Sequence, residues 1–195
     1  MNDESTSYRW RLLRNYVTRH IVNPRTISNC LLSANVFGLF RIEKFEESSM
    51  VVFWHLIPRN TLSQLSHFIV GIPKALPQSH NLEDLVGFDR TGVAVSLWPC
   101  ELLLAHVLLC PSVLVPHIEV LPTCKRVIEL AAGSLGVAGL STITSFSSLE
   151  YLALTDGNEN CVRNMQCVVN ATSEKCSFPK IDCTLLRWST SIYEL

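Results

Sequence analysis

The run Val127-Ile128-Glu129-Leu130-Ala131-Ala132-Gly133, followed by Leu152-Ala153-Leu154-Thr155-Asp156-Gly157-Asn158, constrains the fold of this chain more than any other part of it. An apolar run closing on a carboxylate and small residues reads as a strand entering a tight turn at a helix start. A second apolar run closes on a second carboxylate, Asp156, about twenty residues after the turn. That order and spacing belong to the βαβ units of doubly wound sheets, in which backbone at the turn lies close to a nucleoside and the acid accepts hydrogen bonds from its ribose. The pattern predicts an α/β protein with a nucleoside-type ligand.

The surrounding sequence extends the alternation. Hydrophobic periodicity predicts a helical turn at 81–85, a strand over 93–97 and a helix over 99–109. A strand over 126–130, a helix over 136–146, a strand over 151–155, a helix over 159–170 and a strand over 181–186 follow. Strands alternating with helices imply parallel pairing with right-handed crossovers. Residues 1–80 read as an N-terminal extension, irregular and mostly peripheral, with one strand at 50–57 and a proline-punctuated stretch from Ile72 to Pro77. Within it, residues 8–22 read as an amphipathic helix, with Trp10, Leu13 and Val17 at helical spacing among Arg9, Arg11, Arg14 and Arg19. Packing of Trp10 and Leu13 on the domain is the simpler role for this helix; docking into an acidic groove is the functional alternative.

Bulk properties exclude more than they select. In 195 residues, 48% hydrophobic content is enough for a core, and a net charge of −1 supplies no global field for nucleic acid or an anionic membrane. The start, Met1-Asn2-Asp3-Glu4, lacks the basic and then apolar regions of a secretory signal, so an intracellular, cytoplasmic or also nuclear, location is expected. The apolar span 93–115 is long enough to suggest a membrane helix, but Pro99, Glu101, His106 and Pro111 interrupt it. Pro99 at a helix start with Glu101 in the first turn suits a buried core helix instead. Eight cysteines show no CxxC pair, so reduced thiols are expected. The intervals between Cys161, Cys167, Cys176 and Cys183 do not match paired zinc knuckles. The sequon Asn170-Ala171-Thr172 has no meaning outside the secretory route.

At the turn, Ala131, Ala132 and Gly133 leave room for backbone to approach a ligand. Asp156 has two readings: acceptor for a ribose, or cap of the helix that begins near Glu159, for which Asn158 is the better candidate. Glu129, at a strand end, would accept hydrogen bonds from a ligand or from neighbouring backbone amides. The GxGxxG spacing of nicotinamide-binding proteins is missing, as are the lysine and serine of a phosphate loop, so a ligand without pyrophosphate fits better. None of the six histidines is paired at metal-ligand spacing. No catalytic residue and no metal ligand can be assigned.

Several blocks, in order, resemble the seven-stranded S-adenosyl-L-methionine-dependent methyltransferases, in particular the calmodulin-lysine N-methyltransferase group. They are Arg9-Trp10-Arg11-Leu12-Leu13-Arg14, Leu82-Glu83-Asp84-Leu85, Leu97-Trp98-Pro99 with Glu101, the Glu129 to Leu140 turn, Asp156-Gly157-Asn158-Glu159 with Arg163-Asn164, and Leu186-Arg187-Trp188. The resemblance implies a partial doubly wound, Rossmann-like class I methyltransferase sheet over 81–195, with S-adenosyl-L-methionine as cofactor. It further implies that Gly133 and its neighbours Ala131 and Glu129 pass near the methionine moiety, that Asp156 holds the ribose, and that Trp98 and Trp188 line the pocket. Methyl transfer to a lysine of calmodulin or a similar acidic protein is the implied activity, with neither nucleic acid nor membrane as partner.

Two departures qualify the resemblance. Ala131 and Ala132 stand where relatives carry glycine, so their methyl groups either intrude on the ligand or strain a backbone that prefers positive φ. The resemblance also stops near Trp188, before the strand that helps form the substrate-lysine site. The expectation is a chain holding the cofactor half, with an uncovered sheet edge after 181–186. A truncated, non-catalytic interaction protein or pseudoenzyme is the alternative function.

Overall fold

A computed structural model describes residues 31–32, 34–59, 67–74, 97–110 and 123–187. The amphipathic helix over 8–22, the turn at 81–85, all but Leu97 of the strand over 93–97, and Trp188 lie outside these residues. Within them are two three-stranded sheets and three helices. The strands are β1 (Phe40–Glu47), β2 (Val51–Pro58), β3 (Phe68–Pro73), β4 (Arg126–Glu129), β5 (Tyr151–Asp156) and β6 (Lys180–Leu185). The helices are α1 (Pro99–Leu109), α2 (Val137–Ser145) and α3 (Glu159–Ser173).

The first sheet corrects the expectation of an irregular N-terminal extension. It is antiparallel, in the order β1-β2-β3, with Glu43 opposite His55 and Trp54 opposite Val70. The most apolar strand, VVFWHLIP, takes the centre and is almost entirely buried, while the charged FRIEKFEE is left at the edge and is mostly exposed. Charge on an edge strand discourages pairing with other chains, and a bulge between Lys44 and Glu46 twists it further. The hairpin closes through Ser48, whose Oγ accepts from the amides of Met50 at 3.2 Å and Val51 at 3.0 Å. Asn35 steers the entry to β1: its side chain donates to the Phe40 carbonyl at 2.8 Å and accepts from the Phe40 amide at 3.2 Å.

The second sheet is parallel, in the order β4-β5-β6, and its elements match the expected ones to within a few residues. Leu152 and Leu154 of β5 are fully buried, in one core with Val137 and Leu140 of α2 and Met165, Val168 and Val169 of α3. Close packing of α2 on β5 requires glycine: a Cβ at Gly139 would lie 2.4 Å from a Leu154 methyl and from Glu129 Oε2. Successive residues of a strand point to opposite faces. Ile128 therefore lies on the other face of the sheet, 60% exposed, with Leu130 beyond the strand end at 50%. On this sheet, uncovered apolar surface therefore lies at β4 as well as at Leu185 of β6. Among the described residues no strand lies beyond β4, so the order reversal that defines a doubly wound sheet is not seen.

The two sheets share one core. Phe40, Leu56, Phe68, Val70 and Ile72 of the antiparallel sheet join Leu102, Ala105 and Leu109 of α1 and the residues of the parallel layer. His106 of α1 is buried edge-on against Phe40, with ring centroids 5.5 Å apart, and its Nε2 lies 3.3 Å from the Arg59 carbonyl. Helix α1 is not wholly buried as expected: Leu103 and Leu104 remain 43% and 47% exposed. No helix among the described residues is long and apolar enough to cross a membrane.

Candidate functional site at the ends of β4 and β5

Parallel strands deliver their C-terminal ends to the same edge, and β4 and β5 are in register as Glu129 opposite Leu154. The chain past β4 must then turn sharply to start α2. It does so through three left-handed residues, Ala131 (φ 55), Gly133 (φ 66) and Gly136 (φ 59). Glycine tolerates this region freely; for alanine it costs about 1–2 kcal/mol. The strain at Ala131 is held by its neighbours. Ala132 donates from its amide to the Thr155 carbonyl at 2.8 Å, and Thr155 Oγ1 donates to the Glu129 carbonyl at 2.7 Å.

The two halves of the sequence signature meet here. Gly133 donates from its amide to Asp156 Oδ2 at 3.0 Å, and the other carboxylate oxygen accepts from the Asn158 amide at 2.8 Å. Asp156 is only 9% exposed. Asn158, rather than Asp156, caps α3: its Oδ1 accepts from the Asn160 amide at 2.8 Å. On the rim, Glu159 pairs with Arg163 at 3.5 Å and with Arg187 at 3.2 Å, which ties the end of β6 to the start of α3.

Glu129 points the other way. Its Oε2 accepts from the Gly139 amide at 2.7 Å, inside the first turn of α2. Burial pushes its carboxyl up to about 7, offset in part by that hydrogen bond. A backbone amide, one of the two kinds of partner expected for Glu129, is thus present. Glu101 has a job that its own position in the sequence did not reveal. From the first turn of α1 it reaches across to α2, and its Oε1 accepts from the Val137 amide at 2.6 Å. Burial, and then the nearby Glu129 carboxylate, hold Glu101 well above the usual glutamate range. The signal available in sequence was a lone acid in an otherwise apolar helix.

Trp98 is the extended residue immediately before α1, one turn ahead of Glu101. The bond from Glu101 to Val137 therefore carries Trp98 to the same end of the molecule as the 131–136 turn. Gly133, Asp156, Glu129 and Ala131 come together around that turn, while Trp98 is placed only at the start of α1, and Trp188 lies outside the described residues. The site combines a left-handed backbone with the Asp156 carboxylate, which accepts from two backbone amides. Among the described residues no group of three or more His, Cys, Asp or Glu side chains is arranged to hold a metal ion, and no disulfide joins the cysteines. No protein-family model matches the chain.

Proposed function

We propose that residues 97–187 carry the cofactor-binding half of an S-adenosyl-L-methionine-dependent protein-lysine N-methyltransferase of class I, Rossmann-like type. Calmodulin or a similar acidic protein is its substrate, and it works in the cytoplasm or nucleus. The observation that supports this most is the hydrogen bond from the Gly133 amide to Asp156 at the ends of two adjacent parallel strands.

The residues present fit the cofactor. An ionised carboxylate offers about four acceptor positions. The Gly133 and Asn158 amides occupy two on Asp156, leaving two for the vicinal hydroxyls of a ribose. Gly133 is half-buried, so its backbone is open to close approach, while the Ala131 methyl is exposed and does not fill the turn. Trp98, and by resemblance Trp188, would flank the adenosine. When bound, S-adenosyl-L-methionine supplies a sulfonium methyl group open to in-line attack. Asp156 orients the ribose and the 131–136 turn fixes the depth at which the ligand sits. Glu101 and Glu129 hold the helix start, and by resemblance Glu129 also lies near the methionine moiety.

Transfer of labelled methyl from S-adenosyl-L-methionine to a lysine of calmodulin tests the proposal. Incorporation that depends on Asp156 supports it. A folded chain that binds S-adenosylhomocysteine but transfers nothing supports the second reading, a non-catalytic interaction protein. The exposure of Ile128 and Leu130 on the open face of β4 favours that alternative.

A further inference from the structure

Two carboxylates from different elements converge on one helix start. Glu101 of α1 takes the Val137 amide at 2.6 Å, and Glu129 of β4 takes the Gly139 amide at 2.7 Å, two residues further along the same turn of α2. Both residues keep some exposed surface, but their carboxylates are turned inward. A helix start favours negative charge, yet it offers roughly half a unit of compensating positive charge, too little for two buried anions. Among the described residues no other charge compensates them. Helix α2 and strand β3 contain no titratable side chain. The nearest acid on β5, Asp156, is held by the Gly133 and Asn158 amides. On α1, Cys100 is exposed, His106 faces Phe40 and the Arg59 carbonyl, and Cys110 lies at the far end. Arg126, at the opposite end of β4, lies over the Tyr151 ring, and on α3 Glu159 is paired with Arg163 and Arg187. Among the described residues neither Glu101 nor Glu129 has a cationic partner.

We propose that Glu101 and Glu129 form a pH-sensitive latch that fastens α1 to the start of α2 while the pair retains a proton and loosens when both carboxyls ionise. Burial raises both groups, Glu129 to about 7 and Glu101 well above the ordinary glutamate range, with the Glu129 charge adding to the Glu101 shift. The sign follows from linkage. Groups raised in the folded state contribute stability that is fully present below the ordinary glutamate range and is lost as pH rises through their folded values. The latch is therefore closed in mild acid and opens from about neutrality upward. Because Trp98 is the residue from which α1 starts, one turn ahead of Glu101, opening frees that end of the helix as well.

The test is a carbon-13 titration of the side-chain carboxyls in the full chain, labelled at glutamate Cδ, with amide hydrogen exchange followed in parallel. Two carboxyls should titrate well above the ordinary glutamate range, and one should vanish in each of Glu101→Gln and Glu129→Gln. In Glu129→Gln the Glu101 midpoint should shift down, because the neighbouring charge is gone. Exchange at Val137 and Gly139 should accelerate with pH more steeply than base catalysis alone in the parent chain, and lose that excess in Glu101→Gln. Ordinary midpoints for every glutamate of the parent chain overturn the proposal without need of a variant. Raised midpoints that ignore each other overturn it too, because they describe two separate buried acids and no latch.

Discussion

The amide of Gly71 in β3 donates to Thr172 Oγ1 in α3 at 2.9 Å, joining the antiparallel sheet to the parallel layer across 101 positions of sequence. The hydroxyl passes its own proton to the Val168 carbonyl at 2.7 Å, so it is satisfied on both sides in a buried site. The strand sits so close that a Cβ at Gly71 would meet the Ala171 carbonyl carbon at 2.9 Å and the Phe53 ring at 2.9 Å.

Two substitutions follow from this contact. Gly71→Ala should destabilise the chain by about 1–3 kcal/mol through overpacking against backbone that cannot yield. Thr172→Val should cost about 1–3 kcal/mol by leaving the Gly71 N–H buried without an acceptor, while Thr172→Ser retains most of the stability. Urea unfolding of the four proteins decides; equal midpoints for Thr172→Val and the parent chain would show that the bond contributes nothing.

The two alanines of the turn should respond with opposite signs. Ala131 is exposed at φ 55, so Ala131→Gly removes a strain of about 1–2 kcal/mol and returns part of it as unfolded-state entropy. A net gain of about 0.5–1 kcal/mol is expected. Ala132 is buried, 2% exposed and packed in the core, so Ala132→Gly should lose about 1 kcal/mol. Thermal melts of both variants are sufficient, and a loss at Ala131→Gly would mean that its methyl supports the turn.

The cap of α3 is a third point of leverage. Asn158→Ala removes the acceptor for the Asn160 amide and should cost about 1 kcal/mol, whereas Asn158→Asp keeps it and adds a charge favoured at a helix start. Denaturant midpoints in the order Asp, Asn, Ala, with Asp highest, are the expected result.

The parallel layer was legible because each of its elements announces itself locally. Arg126 to Glu129 and Tyr151 to Asp156 are short apolar runs ended by acids and small residues, and Asn158-Glu159 starts a helix with a cap and a first-turn acid. The antiparallel sheet was less legible. In β1, charges at Arg41, Glu43, Lys44, Glu46 and Glu47 mask a strand that takes its place from pairing with β2, and Pro73 gave the end of β3 the look of a loop. In the site, the pairing of turn and acid could be read from spacing. A backbone-amide role for Glu129 could be read too, but the duty of Glu101 could not, because the amide it takes is 36 positions away and the docking of α1 on α2 determines which one it is.

The most direct test of the account is calorimetric titration with S-adenosylhomocysteine of the parent chain and of Asp156→Asn, each shown to be folded by its far-ultraviolet spectrum. Saturable binding is predicted for the parent chain. A weakening of about 10- to 100-fold is predicted in the variant, the cost of losing charged hydrogen bonds to a ribose. Equal affinity in the two proteins, or no binding by a folded parent chain, would contradict the assignment of Asp156 as the ribose acceptor.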